Sequence, residues 1–195
     1  LLNRGGAEFA DVSSISGLDH GGDGRAMAMV DWDQDGDLDV WYRDRTAPRL
    51  RLMLNQHAPG EGSREFVALR LEGTMSNRDA LGAIVEVVVD DTSKRLVKSV
   101  RAGDLFLSQS SRRLHFGLGD AGKIQEIKVV WPGGKVEKYR GAEVGGTYLL
   151  KEGTGTAVEV TRTPRTVRLT DPPSEAYQSK NARTILPAKI PLPPI

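Results

Sequence analysis

Residues 31 to 39, DWDQDGDLD, carry a carboxylate at every odd position: Asp31, Asp33, Asp35, Asp37 and Asp39. Two unit charges about 4 Å apart repel by roughly 4 kcal/mol at an effective dielectric near 20, so this stretch calls for a cation at its centre. The chemistry it suits is capture of a hard divalent ion. Calcium takes about six to eight oxygen ligands at roughly 2.3–2.6 Å, and a tight loop supplies them when alternate side chains converge and a glycine lets the chain turn. Counted from Asp31, positions 1, 3 and 5 are Asp31, Asp33 and Asp35, followed by Gly36. At position 7, Asp37 is expected to offer its carbonyl and leave its carboxylate to solvent, while Asp39 at position 9 offers its side chain. An EF-hand requires a Glu at position 12. Here position 12 is Tyr42 and the flanks read as strands, so the loop is not that of a helix-loop-helix sensor. An all-protein oxygen cage favours Ca2+ over the smaller Mg2+. Trp32, at an even position, is expected to point away from the ion and toward the core.

A second polar set lies further along. Asn77, Arg78 and Asp79 precede one strand-like run, and Gln109 and Arg112 precede another. Such groups can orient a protein or carbohydrate ligand through side-chain hydrogen bonds. The competing reading is structural: Asn77 and Asp79 satisfy turn backbone and Ser108 to Ser111 cap a hairpin. Ser110, His115 and Asp104 make a triad only on paper, because no G-x-S-x-G elbow and no α/β pattern accompany them. Neither can two carboxylates be singled out for glycoside hydrolysis. Asp19, His20 and Asp23 read as a Gly-rich turn entering a strand in preference to a second metal site. No catalytic residue is assigned.

The elements that must hold these residues are strands. RAMAMVDW and LDVWYRD flank the acidic loop. EFVALRLEG, AIVEVVVDD, KRLVKSVRAG, RRLHFGLG, QEIKVVWPGGKVEKY and GTYLLKEG each read as a strand or hairpin. In AIVEVVVDD the residues Val85, Val87 and Val89 share one face, and Pro132-Gly133-Gly134 supplies a turn. Three regions follow: 1–60 with the acidic loop, 61–151 as an antiparallel β-sandwich, and 152–195, which holds seven of the ten prolines and reads as an extended arm or linker. The fold class is all-β.

Composition narrows the function. A net charge of +1 gives no basic field for nucleic acid, and no apolar run is long enough to span a bilayer as a helix. The absence of cysteine excludes disulfides and thiolate metal sites. LLNRGG has neither an initiator methionine nor a signal-peptide core, so the chain is expected to be part of a longer parent.

Two resemblances sharpen this reading. Asp31, Asp33, Asp35, Gly36 and Asp39 form D-x-D-x-D-G-x-x-D, which resembles the calcium loop of FG-GAP/VCBS β-propeller repeats. LEGTMSNRDALGAIVEV, VRAGDLFLSQSSRRLHFGLG and IKVVWPGGKVEKY together resemble the ASPIC/UnbV domain over about residues 64 to 150. That domain commonly follows VCBS repeats, including in the cartilage acidic protein family. The resemblance implies a partial propeller blade beside the sandwich, structural calcium, extracellular or periplasmic placement, and a non-catalytic recognition or adhesion role. The alternative is an accessory or substrate-binding region of a larger secreted enzyme or redox protein.

Overall fold

The structure is a computed structural model, and it describes residues 2–3, 8–19, 21–46, 49–55, 65–90, 95–119 and 122–167. Regular structure in it is nearly all β, as the alternation in the sequence predicts. The described residues divide into two compact units. One gathers those up to Asn55, Leu105–Ser110 and those from Arg165; the other gathers 65–104 and 111–164. No helix among the described residues is long and apolar enough to cross a membrane. The expected proline-rich arm from residue 168 and His20 lie outside the described residues.

In the first unit, β1 (Leu2–Asn3) pairs antiparallel with β2 (Phe9–Ala10), and a single helical turn, α1 (Ser13–Ser16), follows. A three-stranded antiparallel sheet runs in the order β3 (Gly24–Val30), β4 (Asp39–Asp44), β5 (Leu50–Met53). Both strands predicted to flank the acidic loop are therefore present. The outer edge of β3 is met by side chains from a distant segment. Ser108 Oγ donates to the Met27 carbonyl at 2.6 Å, and Met29 N–H donates to Ser110 Oγ at 3.1 Å. Two serines spaced by two match the two-residue repeat of the strand they satisfy. Sequence reading placed 105–110 in the sandwich; these bonds and its grouping place it with the first unit.

The second unit is a sandwich of two four-stranded sheets. One runs β11 (Val136–Tyr139), β10 (Ile124–Val130), β7 (Ile84–Val89), β8 (Arg95–Ser99). The other runs β13 (Ala157–Glu159), β12 (Thr147–Lys151), β6 (Glu65–Glu72), β9 (Leu114–Gly119). The inward faces are the alternate apolar residues: Val67, Leu69 and Leu71 of β6 meet Val85, Val87 and Val89 of β7, with Phe116, Ile127 and Trp131 completing the core. At roughly 25 cal/mol per Å² of apolar surface, this alternating burial is the main favourable contribution to the fold. The predicted turn forms as Gly134 N–H donates to the Trp131 carbonyl and Trp131 N–H to that of Lys135, both at 2.8 Å, with Gly134 at φ +84° where a side chain would be strained.

Two features depart from the expected sandwich. β12 runs parallel to β6, Thr147 opposite Ala68, in an otherwise antiparallel pair of sheets. Its sheet also continues past residue 151, since β13 pairs with β12 and Val160 N–H donates to the Thr147 carbonyl. A three-residue strand in a polar stretch leaves too little alternation to be seen in sequence.

Candidate metal centre

Pairing of β3 with β4 sets Val30 opposite Asp39, so residues 31 to 38 form the hairpin connection and its two ends become neighbours. That register is what brings Asp31 and Asp39 together. The chain reverses through Gln34 at φ +64° and a buried Gly36 at φ +108°. One carboxylate oxygen each from Asp31, Asp33 and Asp39 lie within 4.8 Å of one another. Asp39 is fully buried; its Oδ2 accepts Trp32 N–H at 2.8 Å and its Oδ1 accepts Asn55 N–H at 2.9 Å. Each of these oxygens keeps a further lone pair for an ion.

The electrostatics of the loop are those of an anion cluster. Asp33 and Asp37 each hold a buried Oδ1 that no hydrogen bond satisfies. A buried polar atom without a partner is costly, and an oxygen of this kind is what a bound cation would satisfy. Burial, then the charges of Asp35, Asp39 and Asp33, push the Asp37 carboxyl up to about 8. Burial, only partly opposed by the Trp32 and Asn55 amides, pushes Asp39 up to about 6. Asp33 is raised by burial first and by Asp35 next. The donor set is hard oxygen throughout, with no nitrogen or sulfur, and it fits calcium.

The five carboxylates do not divide as the sequence suggested. Asp37 was expected to face solvent, yet its carboxylate is turned inward and half-buried. Asp35, expected among the inner ligands, is exposed, and its Oδ1 accepts the Asp37 N–H at 3.1 Å. That bond is an Asx turn, which rotates residue 35 outward and brings residue 37 in. Trp32 was expected in the core. Instead it is 38% exposed and lies edge-on to Trp41, ring centroids 5.0 Å apart. Its even position does turn it from the carboxylates, but it sits beyond the ends of β3 and β4, where no strand neighbour covers it.

The second polar set is split between the units. Asn77 spends both ends of its amide on Leu81, accepting from its N–H at 2.7 Å and donating to its carbonyl at 2.9 Å. Asp79 pairs with Arg112, Arg78 next to Asp79 in sequence is exposed, and Gln109 is exposed on the segment grouped with the first unit. Ser110 also belongs there, bonded to Met29, whereas Asp104 and His115 belong to the second unit. Asp23 pairs with Arg25 at 2.8 Å.

The family model described as ASPIC and UnbV matches residues 73–157. These residues carry an ASPIC/UnbV domain. No curated protein matches the chain. Within the ASPIC/UnbV domain, two glutamates that the sequence did not single out have the densest polar contacts. Glu152 Oε2 accepts three consecutive amides, Thr74, Met75 and Ser76, at 2.9, 2.9 and 2.8 Å. Glu137 Oε2 accepts Trp131 Nε1–H at 3.0 Å, Tyr139 O–H at 2.8 Å and Gly153 N–H at 2.9 Å. Burial would raise the Glu137 carboxyl, but these bonds together with that from Lys135 outweigh it and hold it at about 2. Both act as structural ties between loops. Glu152 follows GTYLLK in an ordinary strand end, so no local signal marks it.

His115 is stacked face to face on Phe66, ring centroids 5.1 Å apart with an interplanar angle of 8°. Burial, then the positive charges of Lys98 and Arg162, push it down to about 4. The unfolded chain therefore binds a proton that the folded domain refuses between about pH 6.5 and 4, and stability falls as the pH drops through that window. Its expected contribution is on the order of 1–2 kcal/mol, after allowing for the solvent at its open edge. In His115→Phe, which keeps the stacking, the fall in melting temperature between pH 7 and pH 4.5 should be smaller than in the parent. Parallel pH profiles would refute this.

Proposed function

We propose that the chain is a non-catalytic, calcium-binding recognition or adhesion module that works outside the cytoplasm, its first unit an FG-GAP/VCBS-type repeat and the whole of the cartilage acidic protein type. The observation that carries this reading is the convergence of Asp31, Asp33 and Asp39 oxygens within 4.8 Å on a hairpin connection, beside buried Asp33 and Asp37 oxygens that no hydrogen bond satisfies. Asp31, Asp33, Asp37 and Asp39 would hold the ion, which supplies positive charge and ties the ends of β3 and β4 together. The role is structural: an ion that binds only the folded loop stabilises it by mass action, by about 2.7 kcal/mol at a hundredfold excess over Kd. Sites in extracellular modules bind calcium at roughly 10⁻⁴–10⁻³ M, a range suited to an ion that is abundant outside cells. The ASPIC/UnbV domain would then present the protein- or carbohydrate-binding surface, with Arg78, Asp79 and Arg112 as the exposed polar candidates.

Titration calorimetry of the chain with calcium tests the site. One ion is expected to bind, and saturating calcium should raise the melting temperature by several degrees relative to chelator. Asp33→Ala should lose most of the affinity, and Asp35→Ala, whose carboxylate is exposed, should lose less. Superimposable melting curves with calcium and with chelator would sink the proposal.

A further inference from the structure

We propose that Arg165 is a positioning residue for the cation loop, and that its docking on the loop and cation binding promote one another. This rests on the cation reading above.

Arg165 contacts the loop in three ways. Its backbone N–H donates to the Asp33 carbonyl at 2.7 Å, its Nη2 donates to the Trp32 carbonyl, and its guanidinium lies over the Trp32 indole, 5.6 Å from the ring centroid. The two hydrogen bonds hold consecutive carbonyls, those of residues 32 and 33, while the Trp32 N–H between the acids is held by Asp39 Oδ2. With both carbonyls engaged by Arg165, the Asp33 peptide is fixed in the orientation that sets a carboxylate oxygen of Asp33 within 4.8 Å of those of Asp31 and Asp39. Its neighbour Gln34 is at φ +64°, a backbone region that a non-glycine residue seldom adopts unless its surroundings impose it. The anchor comes from a residue 133 positions away in sequence from Trp32.

Arg165 also adds a positive charge near a cation site, which opposes cation binding. That charge is exposed and sits on the carbonyl side of the loop, so solvent screens it strongly. The bonds to two carbonyls are short-range and act on the peptide that aims a ligand. Ordering therefore outweighs repulsion, and removing Arg165 weakens binding. Linkage makes the effect reciprocal: whatever factor Arg165 adds to cation affinity, the cation adds to the docking of Arg165.

The test compares the 195-residue parent chain with Arg165→Ala and Arg165→Lys. In chelator, acrylamide quenching of tryptophan fluorescence should rise in Arg165→Ala, because Trp32 loses the guanidinium that covers it; unchanged quenching overturns the docking of Arg165 whatever the ion does. In calcium titrations, both variants should bind about five- to tenfold more weakly than the parent, since Lys keeps the charge but has neither the planar fork nor the stacking. In the parent, calcium should slow tryptic cleavage of the Arg165–Thr166 bond by a similar factor. Equal calcium affinity in all three chains overturns this inference and leaves the cation site standing. A parent that binds no calcium overturns the cation reading and this inference together. Equal far-UV circular dichroism and melting temperature in chelator separate a positioning effect from loss of folding.

Discussion

Glu152→Ala is expected to lower the melting temperature of the ASPIC/UnbV domain by on the order of 10 °C. The carboxylate is buried, and it collects the N–H groups of Thr74, Met75 and Ser76 on one oxygen and the Ser76 hydroxyl on the other, the last at 3.1 Å. These donors follow β6 directly, and Glu152 follows β12, the strand that runs parallel to it. Truncation leaves three amides facing a hole, with water as their only substitute, and frees the loop that the carboxylate gathers. The Ser76 amide first, then those of Thr74 and Met75, hold the Glu152 carboxyl below the usual glutamate range although burial opposes them. A carboxylate with a depressed folded pKa stabilises fully above its unfolded pKa and loses that contribution as pH falls through the folded one. Glu137, held at about 2, follows the same rule. Glu152→Gln keeps one acceptor oxygen and should fall between parent and Ala. Scanning calorimetry checks the series, and a Glu152→Ala domain that melts with the parent would remove Glu152 from the set of structural ties.

The second large effect is expected at Asp39. Asp39→Ala should abolish measurable calcium binding and, in calcium, should destabilise the first unit by about 2–4 kcal/mol, because the Trp32 and Asn55 amides lose a charged acceptor. In chelator the loss should be smaller, since removing one carboxylate also relieves repulsion among its neighbours. Asp39→Asn is the sharper variant: the amide keeps one acceptor oxygen but points an NH2 group at a backbone N–H. Urea denaturation with and without calcium measures both effects. If Asp39→Ala binds calcium as tightly as the parent, the centre is not built on this residue.

Much of the fold was legible because its signals are local. Val85, Val87 and Val89 alternate with half-buried or polar neighbours and do lie in the core, at no more than 1% exposure. Pro132-Gly133-Gly134 turns because glycine accepts φ +84° at its third position. The acidic loop was legible for the same reason, since repulsion among five carboxylates within nine residues is a property of the segment itself. What failed there was finer. An Asx turn at Asp35 reversed the expected roles of Asp35 and Asp37, and nothing in an alternating pattern announces which acid will cap its own backbone.

By itself, then, the sequence determined the β class, the inward faces of the strands, the turn at 132–134 and the place of the candidate cation loop. Each depends on a period of two or on turn chemistry within about ten residues. Tertiary structure alone decided that β12 lies parallel to β6, that Ser108 and Ser110 serve the edge of β3, that Glu152 gathers the amides of 74 to 76, and that Arg165 reaches the loop at residue 33. These contacts join residues about 75 to 130 positions apart. Their partners are backbone N–H and C=O groups, which every residue carries alike, so no residue type records the pairing until packing brings the two together.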